Sequence, residues 1–151
     1  MNVLSKEQIM RLNAPLFAAK SREILLEMAA VLPALADDPT DLRHIRQVYR
    51  AMSAFRGAGA MFGFDDVASL AQAVMNALEL PRNGDAPVSP TLLSLSQEAV
   101  QQIDTMVEIA VRESTDQTNG NHGLESPTNG DLPIHFDRER MEHLILTLNT
   151  L

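Results

Sequence analysis

The side chains with the most versatile chemistry in this 151-residue chain are its four histidines, His44, His122, His135 and His143. An imidazole can accept a proton, act as a nucleophile or bind a metal ion near neutral pH. His44 lies near the start of a predicted helix, and His122 lies in a stretch rich in Asn and Gly. We interpret both as solvated side chains without a catalytic role.

A second arrangement of interest is the spacing of His135, Glu139 and His143, which follow one another at intervals of four residues. Residues four apart lie on the same face of a helix, so the three could bind a metal ion together. The same spacing is typical of an ordinary polar helix face, which is the interpretation we favour. No metal site and no cofactor is predicted.

Composition excludes several classes of function. The chain has no cysteine, which excludes disulfides, thiolate catalysis and cysteine-based zinc or iron–sulfur sites. Its net charge of −8 argues against a surface for nucleic acid or for an anionic membrane, because both need clustered Lys and Arg. No run approaches the ~20 apolar residues of a membrane span. A cytoplasmic protein is expected.

Apolar residues recur at intervals of three and four along most of the chain, which predicts an all-α fold. We expect a short helical segment in residues 1–14, begun by a capping box at Ser5, and a new helix from Pro15. Four helices with short connections then predict an antiparallel up-down four-helix bundle over residues 15–112. Residues 113–133 are predicted to be a flexible linker and residues 134–151 an amphipathic helix.

One predicted helix carries a distinctive motif in Ile45–Phe64, IRQVYRAMSAFRGAGAMFGF. An Arg-Gly pair is followed by a run of small residues that ends in Phe-Gly-Phe. The segment resembles the signature helix of histidine-phosphotransfer (HPt) domains, above all the amino-terminal domain of chemotaxis-type histidine kinases. The resemblance continues through residues 70–79 and covers about residues 15–112. It implies an HPt-like four-helix bundle, to which the capping box and the apolar spacing add short N- and C-terminal helices.

The differences from the HPt pattern lie at the residues that would carry its chemistry. The resemblance places the phospho-accepting histidine on Ser53 and the neighbouring lysine on Arg56. A second histidine and a glutamate, which orient the acceptor in chemotaxis-type members, fall on Gln72 and Met75. A serine hydroxyl without an adjacent base is a poor nucleophile, and neither Gln nor Met can accept its proton. We therefore expect that the chain is not an enzyme.

The resemblance implies a non-catalytic pseudo-HPt protein that binds a response-regulator receiver domain or a histidine kinase and modulates phosphorelay signalling. Its expected partner-binding surface comprises Ser53, Arg56, Gly57, Ala60, Gln72 and Met75. One alternative is an active phosphotransfer protein with an atypical acceptor. Another is an assembly module that docks a partner through its C-terminal helix, although we favour a helix that folds back on the bundle.

Two glycines inside the motif have different expected roles. Glycine in the interior of a helix costs roughly 1 kcal/mol relative to alanine, so each should have a reason to be there. Gly57 follows Ser53 by about one turn and is assigned to the partner-binding patch. Gly59 is assigned to close packing between helices.

Overall fold

The computed structural model describes residues 5–119 and 137–151, and all regular structure in these two ranges is helical. The predicted all-α fold is thus confirmed. The helices in chain order are α1 (Lys6–Asp37), α2 (Leu42–Phe62), α3 (Asp65–Ala77), the single turn α4 (Glu79–Arg82), α5 (Pro90–Asn119) and α6 (Arg138–Asn149). None of the helices in these ranges is both long and apolar enough to cross a membrane.

The first helix corrects the predicted break between a short N-terminal helix and a second helix that starts at Pro15. Ser5 forms the predicted capping box with Gln8, but α1 then runs without a break through Pro15 and Pro33. Both prolines are exposed, while Ala14 and Phe17 on either side of Pro15 are buried in one core. Packing of the flanking residues therefore outweighs the hydrogen bond that each proline removes.

Helices α1, α2, α3 and α5 form the bundle, in which each helix packs against the next and α5 returns to α1. Contacts between side chains show that α1 and α2 are antiparallel. The Gln47 side chain donates to Glu27 near one end of α1 and α2, whereas Phe64, just after α2, stacks on Phe17 near the other end. The predicted bundle is therefore observed in the part of the chain that the structure describes.

The Phe-Gly-Phe run ends α2 and turns the chain into α3. Gly63 has φ 89°, a left-handed conformation that favours glycine, and Phe64 donates its N–H to the Gly59 carbonyl at 2.7 Å. The ring of Phe64 is buried and lies 4.2 Å from the centroid of Phe17. The motif thus closes the corner between α2 and α3 and anchors it to α1.

The C-terminal part of the chain differs from the prediction in one respect and agrees in another. Helix α5 continues to Asn119, so residues 113–119, which were predicted to belong to a flexible linker, are helical; residues 120–136 lie outside the described ranges. Helix α6 begins after the Asp137 cap and folds back on α3 and α5, as expected. It buries Met141, Leu144 and Leu148.

Ion pairs and hydrogen bonds fix the direction of α6. Arg138 pairs with Asp66 at the start of α3, at 2.7 Å, while Asn149 accepts a hydrogen bond from Asn76 near the end of α3. Helix α6 therefore runs parallel to α3. On its other side, Arg140 makes a two-pronged ion pair with Glu98 of α5.

A pair of glycine substitutions tests the close packing of α2 on α3. A Cβ at Gly59 would lie 2.9 Å from the Phe64 carbonyl oxygen and 3.0 Å from the Ala68 nitrogen, whereas one at Gly57 would meet nothing within 4 Å. We expect Gly59→Ala to lower the free energy of unfolding by about 1–3 kcal/mol through overpacking. Gly57→Ala should raise it by roughly 0.5–1 kcal/mol through helix propensity. Urea unfolding followed by circular dichroism measures both, and equal stabilities would contradict the packing.

A second pair of substitutions tests the docking of α6. Leu144 is 1% exposed and Leu146 is 63% exposed on the same helix. We expect Leu144→Ala to speed hydrogen exchange of the α6 amides by roughly 30-fold or more, because the lost burial is worth at least about 2 kcal/mol. Leu146→Ala is the matched control and should leave the exchange rates nearly unchanged. An identical response of the two variants would mean that α6 does not pack on the bundle.

Candidate functional site

The predicted partner-binding residues of α2 lie on one helical face. Arg56, Gly57 and Ala60 are exposed and Ser53 is half-buried. Their spacings of three and four residues place them along one side of the helix. Gly57 has no side chain and Ala60 has only a methyl group, so few atoms project from this side of α2. Another surface can therefore approach the helix closely.

A chain of polar side chains joins this face to α3 and α6. Arg56 Nη1 donates to Gln72 Oε1 at 2.7 Å, and Gln72 Nε2 donates to Asn76 Oδ1 at 2.9 Å. Asn76 Nδ2 in turn donates to Asn149 Oδ1 of α6 at 3.2 Å. The three amides hold one nitrogen of the Arg56 guanidinium in place and leave the exposed arginine with donors to spare.

The position of Met75 corrects the predicted surface. Met75 is 3% exposed and belongs to the hydrophobic core, so it cannot contribute to a partner-binding surface. Its place in α3 explains this, because it follows Ala71 by four residues and precedes Leu78 by three, and both of these are buried. Gln72 is half-buried and reaches the surface through its hydrogen bond to Arg56.

The Ser53 hydroxyl has no hydrogen-bond partner among the described residues. The contacts of α2 with α3 and α4 show what lies at its level. Arg56 meets Gln72, and one turn beyond Ser53 in the other direction Tyr49 meets Glu79. In an antiparallel pair this alignment puts Met75 level with Ser53 along the helix axis, with the Met75 side chain in the core.

The histidines lie away from this face. His44 Nδ1 is 3.2 Å from Asp41 Oδ2 at the start of α2, and its nine-residue distance from Ser53 corresponds to about 13 Å along the helix axis. His143 is exposed on α6. His122 and His135 fall outside the described ranges. His135 is one of the three residues of the possible metal site considered from the sequence, so that site is not described completely. Within residues 5–119 and 137–151, no cluster of three His, Cys, Asp or Glu could hold a metal ion.

A second feature of α2 was not predicted. An open groove of about 440 Å³ lies along the first half of the helix and is lined by Arg43, Arg46, Tyr49, Arg50 and Arg82. We call it the arginine groove. A hydrogen bond from Arg43 lowers the pKa of the Asp41 carboxyl below its ordinary value, so that this acid stays ionised beside the groove. The signal was present in the sequence, because Leu42–Phe62 contains four arginines and no Asp or Glu.

Comparisons with known proteins agree with the helical architecture. The chain is 35% identical to the chemotaxis protein CheA of Bacillus subtilis (strain 168) over 92 residues, which are 61% of this chain and 14% of that relative. It is 30% identical over 92 residues to the CheA proteins of Listeria monocytogenes and Listeria innocua, of which it covers 15%. The chain thus spans only a small part of the length of these relatives.

No solved structure gives a significant match to the chain. A family model does: the model described as "Hpt domain" matches residues 15–110, well over half of the chain. The matched region contains the whole of α2 and α3 and the corner between them. The protein therefore belongs to the Hpt domain family.

Proposed function

We propose that the protein is a non-catalytic pseudo-HPt domain that binds a receiver domain or a histidine kinase and modulates two-component signalling. The observation that carries the proposal is the environment of Ser53. Its hydroxyl has no hydrogen-bond partner in the described chain, while one turn further on Arg56 is exposed and held by Gln72. Membership of the Hpt domain family and the likeness to CheA support a role in signalling of this type.

Loss of transfer follows from the chemistry of the acceptor. Histidine-to-aspartate transfer passes through a reactive phosphoramidate on an imidazole, which a neighbouring base orients. A serine phosphate ester is far more stable and would not pass its phosphoryl group on. In this proposal Gln72 has taken up an amide network with Arg56 and Asn76, and Met75 has joined the core, so neither supports a nucleophile at residue 53.

Retention of docking follows from the shape and charge of the same face. Arg56 keeps a positive charge where the family has lysine, and its guanidinium offers planar, directional donors to a carboxylate or a phosphate. Gly57 leaves open space beside it, since a Cβ at that position would meet nothing within 4 Å. The alternative of docking through the apolar face of α6 loses support, because that face already packs on α3 and α5.

Phosphotransfer assays test the catalytic half of the proposal. Incubated with ATP and the host's CheA-type kinases, the wild-type chain should take up no acid-labile, alkali-stable label. Ser53→His combined with Gln72→His restores an imidazole acceptor with a second imidazole near it and should gain such a label, because Arg56 and the bundle are retained. Labelling of the wild-type chain would show an active acceptor and would reverse the proposal.

Binding assays test the docking half. We expect Arg56→Glu and Gly57→Leu each to weaken binding to the cognate receiver domain or kinase by about tenfold or more, the first through charge repulsion and the second through steric blockage. Arg22→Glu on α1 makes the same charge change on an exposed residue away from this face and serves as the control. Isothermal titration calorimetry against the receiver domains and kinases of the host measures each affinity. Unchanged affinity in both face variants would remove this surface from the interface.

A further inference from the structure

The arginine groove concentrates positive charge on an acidic protein. The chain carries a net charge of −8, yet four of the five residues that line this groove are arginines. Placing like charges side by side costs free energy in the isolated protein, which an anionic ligand would recover. The groove therefore calls for an explanation beyond solubility.

Of the four arginines that line the groove, two form ion pairs and two form none within the described chain. Arg43 is paired with Asp41, at 3.3 Å, and Arg82 is paired with Glu79, at 3.2 Å. The guanidinium of Arg82 also lies 4.2 Å above the ring of Tyr49, which fixes the floor of the groove. Arg46 and Arg50 are exposed and form no ion pair with any described residue.

The spacing of the unpaired arginines suits an acidic peptide. Arg46 and Arg50 are four residues apart, which is about 6 Å along a helix axis. Alternate side chains of an extended peptide point to the same side and repeat at about 6.6 Å, so two carboxylates at i and i+2 can reach one guanidinium each. The groove is open along its length, which favours a segment of chain over an enclosed small molecule.

A nucleic acid fits less well. Its phosphates extend well beyond the roughly 10 Å between Arg43 and Arg50, and the acidic remainder of the protein would repel them. On the other side of Arg50, the neighbouring groove is lined by two acids of α1, Glu23 and Glu27, against one base, Lys20. An acidic ligand is therefore directed to the Arg46 side and toward Arg82.

We propose that the arginine groove binds a short acidic segment of a partner protein, with Arg46 and Arg50 as the residues that pair with its carboxylates. This site lies beyond the proposed receiver-binding or kinase-binding face and does not depend on it, because Arg56 and Gly57 take no part. It adds a second, charge-selective contact on the same helix.

The test uses the full chain and a fluorescein-labelled peptide of about ten residues with alternating Glu and Gly, measured by fluorescence anisotropy. Arg46→Glu with Arg50→Glu should weaken binding by about tenfold or more, while Arg46→Lys with Arg50→Lys, which keeps the charge, should stay within about threefold. Arg22→Glu with Arg112→Glu gives the matched control, since it changes the net charge equally at exposed residues outside the groove. A peptide with Gln in place of Glu should not bind. Circular dichroism confirms that each variant is folded.

Several outcomes would overturn the proposal. If the Arg22/Arg112 control weakened peptide binding as much as the groove variant, the loss of affinity would be explained by net charge alone. Tighter binding of inorganic phosphate or of a short single-stranded DNA would assign the groove to phosphate. A wild-type dimer that dissociates when Arg46 and Arg50 are reversed, seen by sedimentation velocity, would assign it to a second copy of the chain. None of these results bears on the affinity of the Arg56 face, so the two proposals can fail separately.

Discussion

The contact on which the rest of the structure depends is the close approach of α2 and α3 at Gly59. No side chain fits there, because a Cβ would press on the backbone of Phe64 and Ala68. The left-handed Gly63 turns the chain, and the stack of Phe64 on Phe17 holds the corner against α1. This corner fixes the alignment of the two helices, and the alignment decides that Arg56 meets Gln72 and that Met75 lies level with Ser53.

Helix α6 extends this arrangement from a corner to a supported site. Asn149 ends the amide chain that begins at Arg56, and the ion pairs of Arg138 and Arg140 attach α6 to α3 and α5. Exposed ion pairs of this kind contribute little stability individually. Burial of three apolar side chains contributes more stability; these side chains are Met141, Leu144 and Leu148. Their burial holds α6 in the position where Asn149 can accept a hydrogen bond from Asn76.

Much of this could be predicted from the sequence, because it rests on local signals. The Ser5 capping box and the apolar intervals mark the helices without knowledge of the fold. The break predicted at Pro15 was wrong because the packing of Ala14 and Phe17 on each side of it is a long-range effect. The assignment of Met75 to the partner-binding surface was wrong for a related reason. The resemblance identifies the position that corresponds to a polar residue of the family, but it does not show whether the methionine there is buried. Three of the groove's arginines lie in α2 and are visible in the sequence, but the groove itself could not be predicted, because α4 contributes Arg82 from another part of the chain.

Ser53 stands between the two surfaces of α2, one turn after Arg50 and one turn before Gly57. A partner that covered both surfaces would also cover the half-buried Ser53 hydroxyl, which has no hydrogen-bond partner within the described chain. Burying a hydroxyl without a partner costs about 1–3 kcal/mol. This cost is comparable to the gain from a charged hydrogen bond at Arg50 or Arg56. A partner that supplies a hydrogen-bonding group at residue 53 would therefore bind more tightly than one that presents an apolar group there. Residue 53 would in this way discriminate between partners.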